Sequence, residues 1–598
     1  MNFSVSICRM FLSLWCCISM GIKMAIGFNY MDYANLYDGV AHVNRLKIMG
    51  KSTWTSHDSV WRAWEFSGIR YATADRFQPP KFFDDYTHDG QEQLARVFAK
   101  AGSACIQASQ RQYPPPLNMN LTSEDCLFLN IHVPPVNQEH SLLKNQLRPV
   151  LVFIHGGDFQ AGAGHLYDAN SLARAIDAVV VTVNYRLGLF GFLSVEDASA
   201  RGNWGMKDMV MALKWIRQYI GRFGADAHRM TLLGHGSGAS MVSLAMMDRD
   251  VREIIAGVIL MGGSSFHHKS LISSAQTYAV ALGRSAGCPD NGSLEALMGC
   301  LRNKEAVQLL LADAAMSKTK TTDMPPWRPS IDSDSVPYNP HWIFRSSEWK
   351  FNGSVLQGYS MVPISGLFDY LNDSGGAKIS TAAHGKSAND LSPLDEGKQY
   401  QVALDEAVSN LHPFVSEALG CTVTDEVAEQ VLQHYLDVDH AKRTRAAIHK
   451  AIQKIAVDIN QRLAVLQEAV EYVKNPSLLQ GKAAYQMYAL DSATECTRLN
   501  WSLGRPHEMY DVAYLFGGRL GEILLGPDGD EKITAQMRYL VAAFVKNGRG
   551  FGVPFDLEYG HMFRLNKQKE WQILPDHSVA DVAHFWEDLK AAACEAPA

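Results

Sequence analysis

The stretch best suited to chemistry is Met230-Thr231-Leu232-Leu233-Gly234-His235-Gly236-Ser237-Gly238-Ala239-Ser240. Its apolar start reads as a buried strand, glycines mark a sharp turn, and Ala239 to Met247 reads as a helix. Strand, strained turn and helix is the setting in which acyl-transfer enzymes present a nucleophilic serine, written G-x-S-x-G. Counting from Gly234, however, the middle place is Gly236, and Ser237 comes one residue late. One step at a helix start swings a side chain by about 100°. Ser237 is therefore expected to miss the point of attack, and the turn is expected to lack its nucleophile.

The surrounding chain supplies the elements that would position such a turn. Leu127 to Val133, Val150 to Ile154, Ala178 to Val183, Met230 to Leu233 and Val258 to Met261 read as strands. Several are near-continuous in apolar residues, as expected for strands buried on both faces of a parallel sheet. Gly205 to Phe223 places Met206, Met209, Val210, Leu213, Ile216 and Ile220 on one helical face. Strand and helix alternate from 150 to 263, which predicts an α/β fold with a large, mostly parallel central sheet flanked by helices. Helical patterns recur from Ser270 to Asp313 and from Asp405 to Val473, Ala484 to Ala489 is strand-like, and a last helix is expected near Val579 to Ala593. No internal repeat is visible. The expected organisation is a signal peptide at 1–27, one domain at 28–594 and a short tail at 595–598.

Composition narrows the function classes. With 598 residues, 47% hydrophobic and 20% charged, the chain supports a large core. A net charge of −7 and the lack of long basic runs argue against nucleic acid. The apolar run Met10 to Ile22 after Arg9 resembles a secretory leader, and no later stretch has the roughly 20 apolar residues of a transmembrane helix. A secreted or extracellular chain is expected, at the cell surface or free. Of the ten cysteines, three lie in the leader. Cys105 with Cys126 and Cys288 with Cys300 are close enough to close short loops. Cys421, Cys496 and Cys594 make an odd set, with a Cys421–Cys496 pair and a Cys594 bridge between two chains among the options. None has metal-ligand spacing, so neither metal nor cofactor is expected. Sequons at Asn120, Asn291, Asn352, Asn372 and Asn500 fit a glycoprotein.

Several ordered motifs resemble the carboxylesterase/cholinesterase branch of the α/β-hydrolases, from about residue 30 to 592. They are Ser67-Gly68-Ile69-Arg70-Tyr71-Ala72 with Arg76-Phe77, then Ser123-Glu124-Asp125-Cys126-Leu127-Phe128-Leu129-Asn130. His155-Gly156-Gly157, Asn184-Tyr185-Arg186-Leu187-Gly188 and Gly202-Asn203-Trp204-Gly205 with Asp208 follow. The resemblance implies disulfides Cys105–Cys126 and Cys288–Cys300, and structural ion pairs Arg76–Glu124 and Arg186–Asp208.

Departures from the family pattern bear on activity. An esterase of this type needs a serine, a base histidine, an orienting acid and an oxyanion hole. The serine place holds Gly236. The acid place, before Gly366, holds Ser365, which cannot carry the charge that orients an imidazole. The histidine place counts to Glu508, with His507 one step off. The oxyanion loop Gly156-Gly157 ends in Asp158 rather than a third glycine. Losing one oxyanion donor costs about 10²–10³ in rate, and a carboxylate there opposes the charge that develops. The Cys105–Cys126 loop also lacks a tryptophan for stacking choline.

The resemblance therefore points to the non-catalytic adhesion branch of the family, with neuroligins, gliotactin, neurotactin and glutactin. It implies an extracellular protein partner, neurexin-like on the neuroligin analogy. It also implies a homodimer through the helices Glu426–Asp437 and Val579–Ala593, although the stripe Val579, Val582, Ala583 and Trp586 equally fits packing on its own domain. The alternative is a secreted carboxylesterase using a shifted Ser237/His507 site. A third reading is a carrier that holds an apolar molecule in the vacated gorge.

Overall fold

The computed structural model describes residues 39–43, 46–53, 62–84, 96–98, 100–108, 122–136, 147–289, 292–317, 326–346, 349–360, 398–436, 445–479, 484–490, 510–517, 520, 531–547, 554–555, 561–565, 569–574 and 578–594. Ser365, His507, Cys496, the 1–27 segment, Asn120, Asn291, Asn372 and Asn500 lie outside them.

Thirteen strands of the described residues join in one sheet. An antiparallel flank holds β1 (Val40–Val43), β2 (Leu46–Thr53) and β3 (Arg62–Arg70). Two short pairs lie apart, β4 (Ala72–Thr73) with β5 (Lys81–Phe82), and β7 (Ala104–Cys105) with β8 (Thr122–Ser123). Strand β6 (Arg96–Phe98) pairs β2, and β9 (Phe128–Val136) pairs β3. The centre is parallel: β11 (Val179–Val183), β10 (Arg148–Ile154), β12 (Ala225–His235), β13 (Gly257–Met261), β14 (Ser354–Ser360), β15 (Tyr485–Leu490) and β16 (Met562–Leu565). β17 (Trp571–Leu574) closes the far edge antiparallel to β16.

The expected strands and their burial are present. On β10, Val150, Val152 and Ile154 enter one core cluster while Leu151 and Phe153 enter another. Successive side chains of a strand point to opposite faces, so a continuous apolar run is what covering both faces requires. The helix Trp204–Tyr219 buries Met206, Met209, Leu213 and Ile216, as its periodicity predicts. The expected helical stretch 270–313 resolves into Ala275–Ser285, Leu294–Arg302 and Ala306–Ser317.

Both expected ion pairs are formed. Arg186 binds Asp208 through Nε and a terminal nitrogen at 2.7 and 2.8 Å, with both side chains buried. Arg76 donates to Glu124 at 2.8 Å and to the Arg302 carbonyl at 3.2 Å. Cys105–Cys126 and Cys288–Cys300 are disulfides, as the family resemblance implies.

The remaining cysteines correct both sequence options. Cys421 bonds Cys594 within one chain, with Cα atoms 5.9 Å apart. Helix Lys398–Leu419 ends where the last helix, Ser578–Cys594, also ends, so the two cysteines meet although they are 173 residues apart. Cys594 is thereby unavailable to a second chain while that bond stands.

Three residues of the stripe on the last helix pack inside the domain. Val582, Ala583 and Trp586 are buried, and Trp586 Nε1 donates to Tyr435 Oη at 3.0 Å. The outward faces of Asp425–Tyr435 and Ser578–Cys594 show Asp425, Glu426, Glu429, Asp581 and Asp588 to solvent.

Candidate functional site

β12 leads into the elbow. Met230, Leu232 and Leu233 are buried and paired in register with β10 and β13, which aims the strand end at the carboxyl edge of the sheet. There Gly236 adopts φ 53°, ψ −122°. That combination of positive φ and extended ψ is a strained region for any residue with a Cβ. Its N–H donates to the Met261 carbonyl at 2.8 Å. The flanking glycines are required by contact: a Cβ on Gly234 would lie 2.4 Å from the Gly238 carbonyl oxygen, and one on Gly238 2.3 Å from that of Ile154. Among the described residues, a Cβ on Gly236 would meet no atom within 4 Å beyond its chain neighbours. The turn thus keeps the bent backbone, with no described residue in the space into which a side chain at 236 would project.

Ser237 opens the helix Ser237–Ala245 and points elsewhere. Its Oγ accepts the Phe159 N–H at 3.2 Å. Phe159 belongs to a loop in which Gly157, Asp158 and Phe159 all have positive φ, at 119°, 54° and 62°. Two such non-glycine residues cost of order 1–3 kcal/mol each. The loop is also held by Gln160 and Ala161 N–H donating to the Gly157 carbonyl, at 2.9 and 3.0 Å. Ser237 is therefore a strut for the loop 156–159. Gly156 packs tightly on the strand end, where a Cβ would lie 2.6 Å from the His235 carbonyl oxygen. Asp158 is exposed.

His155, before the loop, is fully buried and stacks on Tyr185 with ring centroids 4.4 Å apart. Burial pushes its pKa down to about 4, outweighing the hydrogen bond to the Gly156 carbonyl. It is a neutral packing residue, unfit to act as base for an incoming group.

Two features escaped the sequence reading. His235, adjacent to Gly236, sets Nε2 3.4 Å from Asp511 Oδ1, both side chains being buried. A histidine next to the elbow was the available sign. The second is Glu468, wholly buried on the helix Leu463–Lys474. It accepts from Ser243 Oγ at 2.9 Å, from Ser264 Oγ, and from Gln357 Nε2 at 3.1 Å. Burial raises its pKa to about 7 against the lowering effect of those three donors. An isolated glutamate within a helical pattern carries no such signal.

Of the degenerate triad, Gly236 alone is placed by the structure, since Ser365 and His507 lie outside the described residues. Asn352 is exposed on the turn that enters β14, at the amino edge of the sheet and away from the elbow. Among the described residues no group of three or more His, Cys, Asp or Glu could hold a metal, and no helix is long and apolar enough to cross a membrane.

A model of the carboxylesterase family matches residues 39–585. Neuroligin-2 of Mus musculus is 32% identical over 250 residues, covering 40% of this chain and 29% of that protein. Thyroglobulin of Rattus norvegicus is 35% identical over 271 residues, covering 44% of this chain and 9% of that protein. Acetylcholinesterase of Bungarus fasciatus is 27% identical over 458 residues, covering 74% of this chain and 68% of that protein. The match spans about a third of the length of the neuroligins concerned, 29% to 32%.

Proposed function

Since the chain belongs to the carboxylesterase family, we propose that it is a catalytically inactive member that acts by binding another extracellular protein, as an adhesion molecule or secreted ligand. The observation that carries this reading is Gly236, which occupies the strained turn with φ 53° and ψ −122° and bears no side chain. Without an oxygen there, no acyl-enzyme can form. Ser237 does not substitute, because its hydroxyl is engaged by Phe159 N–H on the loop side. Ser365 in the acid place and Asp158 in the oxyanion loop support the same reading. Three disulfides fit a protein folded in the secretory pathway.

The test is fluorophosphonate labelling of the purified chain, with an active carboxylesterase treated in parallel. The expected result is no label and no ester turnover. A label on Ser237, or turnover abolished by His507→Ala, would overturn the proposal and favour the shifted-site esterase. Binding is then assayed on cells displaying candidate extracellular proteins, beginning with the neurexin-like ligand expected from the sequence resemblance.

A further inference from the structure

The three disulfides differ in how far they are withdrawn from solvent. Cys105 and Cys126 are both buried, and in the second pair Cys288 is buried. In Cys421–Cys594 both cysteines are half-buried, packed at the rim of the core. A disulfide opens by attack of a thiolate on one of its sulfurs, so access bears directly on which bond is reduced.

The two ends of this staple are anchored unequally. Cys421 follows the helix Lys398–Leu419, which buries Leu404, Ala407, Leu411, Val415 and Leu419. Gly420 takes φ 75°. Its N–H donates to the Ser416 carbonyl at 3.0 Å, and Cys421 N–H donates to the same carbonyl at 3.1 Å. This left-handed ending closes the helix and fixes the backbone at Cys421. Cys594 is the last residue of the helix Ser578–Cys594. That helix is held at its middle, where Val582, Ala583, Trp586 and Leu589 are buried. Trp586 Nε1 donates to Tyr435 Oη at 3.0 Å, the Phe585 ring stacks on His434 with centroids 3.7 Å apart, and Glu587 pairs with Lys474 at 3.3 Å. Past Leu589, Ala591 and Ala592 are exposed, and Lys590 and Ala593 are half-buried. The last turn of a helix frays readily, and here the disulfide is its covalent hold. Opening the bond frees that turn and leaves the buried anchors in place.

We propose that Cys421–Cys594 is a redox-operated latch, opened by a dithiol reductant of the thioredoxin class, which releases the final turn of the helix Ser578–Cys594 while the domain stays folded. One reductant thiolate attacks a sulfur of the pair, forming a mixed disulfide and releasing the other cysteine, which takes a proton. The second reductant thiol then displaces the remaining cysteine. The reductant leaves as its own disulfide, and the protein gains two electrons and two protons. The latch is independent of the chemistry at Gly236, so its test and the fluorophosphonate experiment can fail separately.

The full chain, without denaturant, is titrated with dithiothreitol and, separately, with thioredoxin, its reductase and NADPH. Free thiols are trapped with iodoacetamide and located by peptide mapping. Cys421 and Cys594 are expected to alkylate together at about 10-fold less dithiothreitol than Cys105 and Cys126, and thioredoxin is expected to open the same bond. Tryptic cleavage after Lys590, scored after full denaturation and reduction, should be about 10-fold faster once the bond is open, and oxidised glutathione should restore protection. Melting of the opened chain should remain cooperative. The double variant Cys421→Ser/Cys594→Ser should be cleaved after Lys590 at the faster rate with or without reductant; the titration of the parent chain decides the matter even where that variant fails to fold. Alkylation of Cys105 and Cys126 at the same or lower dithiothreitol, no opening by thioredoxin, unchanged cleavage after Lys590, or loss of cooperative melting on opening would each overturn the proposal.

Discussion

Glu468→Gln isolates one buried charge whose effect can be worked from its surroundings. The carboxyl sits between the helix Ser237–Ala245, the turn after β13, β14 and its own helix, with three donors on it and no access to water. Burial lifts its pKa from 4.5 to about 7. A raised acid pKa means that the folded state holds the proton more tightly than the unfolded one. The resulting stability is complete below pH 4.5, declines as pH rises, and is gone above pH 7. The shift of 2.5 units corresponds to about 3 kcal/mol at 1.36 kcal/mol per unit. For a chain of this size that amounts to about 2–3 °C in melting temperature, from the per-residue entropy of unfolding.

Glutamine keeps the shape and cannot ionise. The variant's melting temperature should therefore fall less than the parent's between pH 5 and pH 8. Its amide must be accommodated by rotation of the Ser243 and Ser264 hydroxyls, so it should be the less stable form at pH 5 and draw level or pull ahead by pH 8. Scanning calorimetry at one fixed rate measures this, and infrared difference spectra should show a protonated-carboxyl band at pH 5 that the variant lacks. Parallel melting curves over the whole range would refute the reasoning, because Glu468 would then titrate alike folded and unfolded.

Gly236→Ser should fold, because no described residue beyond the chain neighbours lies within 4 Å of the new Cβ, at a cost of about 1–3 kcal/mol for the positive φ; denaturant titration checks it. Ser237→Ala should lose about 1 kcal/mol by removing the acceptor for Phe159 N–H, with no effect on any ester turnover. Asp208→Asn leaves the buried Arg186 charge uncompensated and should destabilise by about 3–5 kcal/mol, seen as reduced secretion and faster proteolysis. Non-reducing peptide mapping should recover Cys421 joined to Cys594 and no disulfide-linked dimer, and Cys421→Ser should leave Cys594 alkylatable.

Much of this protein is legible in local sequence. Apolar runs of strand length, broken by glycine and alternating with 3.6-period helices, specify a covered parallel sheet, because each strand must satisfy two apolar faces. The register at the elbow is also local. Gly234, Gly236 and Gly238 hold their places through backbone contacts within a few residues or with the adjacent strand, so counting from Gly234 is enough to place Gly236 at the turn. The role of Ser237 was not local: only the approach of the loop 156–159 gives its hydroxyl a partner.

The tertiary structure decided the rest by bringing together groups that no spacing relates. Cys421 finds Cys594 across 173 residues, which turns an apparent link between chains into a staple within one. His235 meets Asp511 because the strand end and the helix Tyr510–Phe516 converge on the same edge. The segment 327–329 is tied to distant Gln160 and Ile272 through the Trp327 and Pro329 carbonyls. Sequence by itself determined the scaffold and the place of Gly236 at the turn, since both follow from short-range backbone and hydrophobic constraints. Charge, protonation and pairing depend on burial and on distant partners, and so were decided by the packed fold.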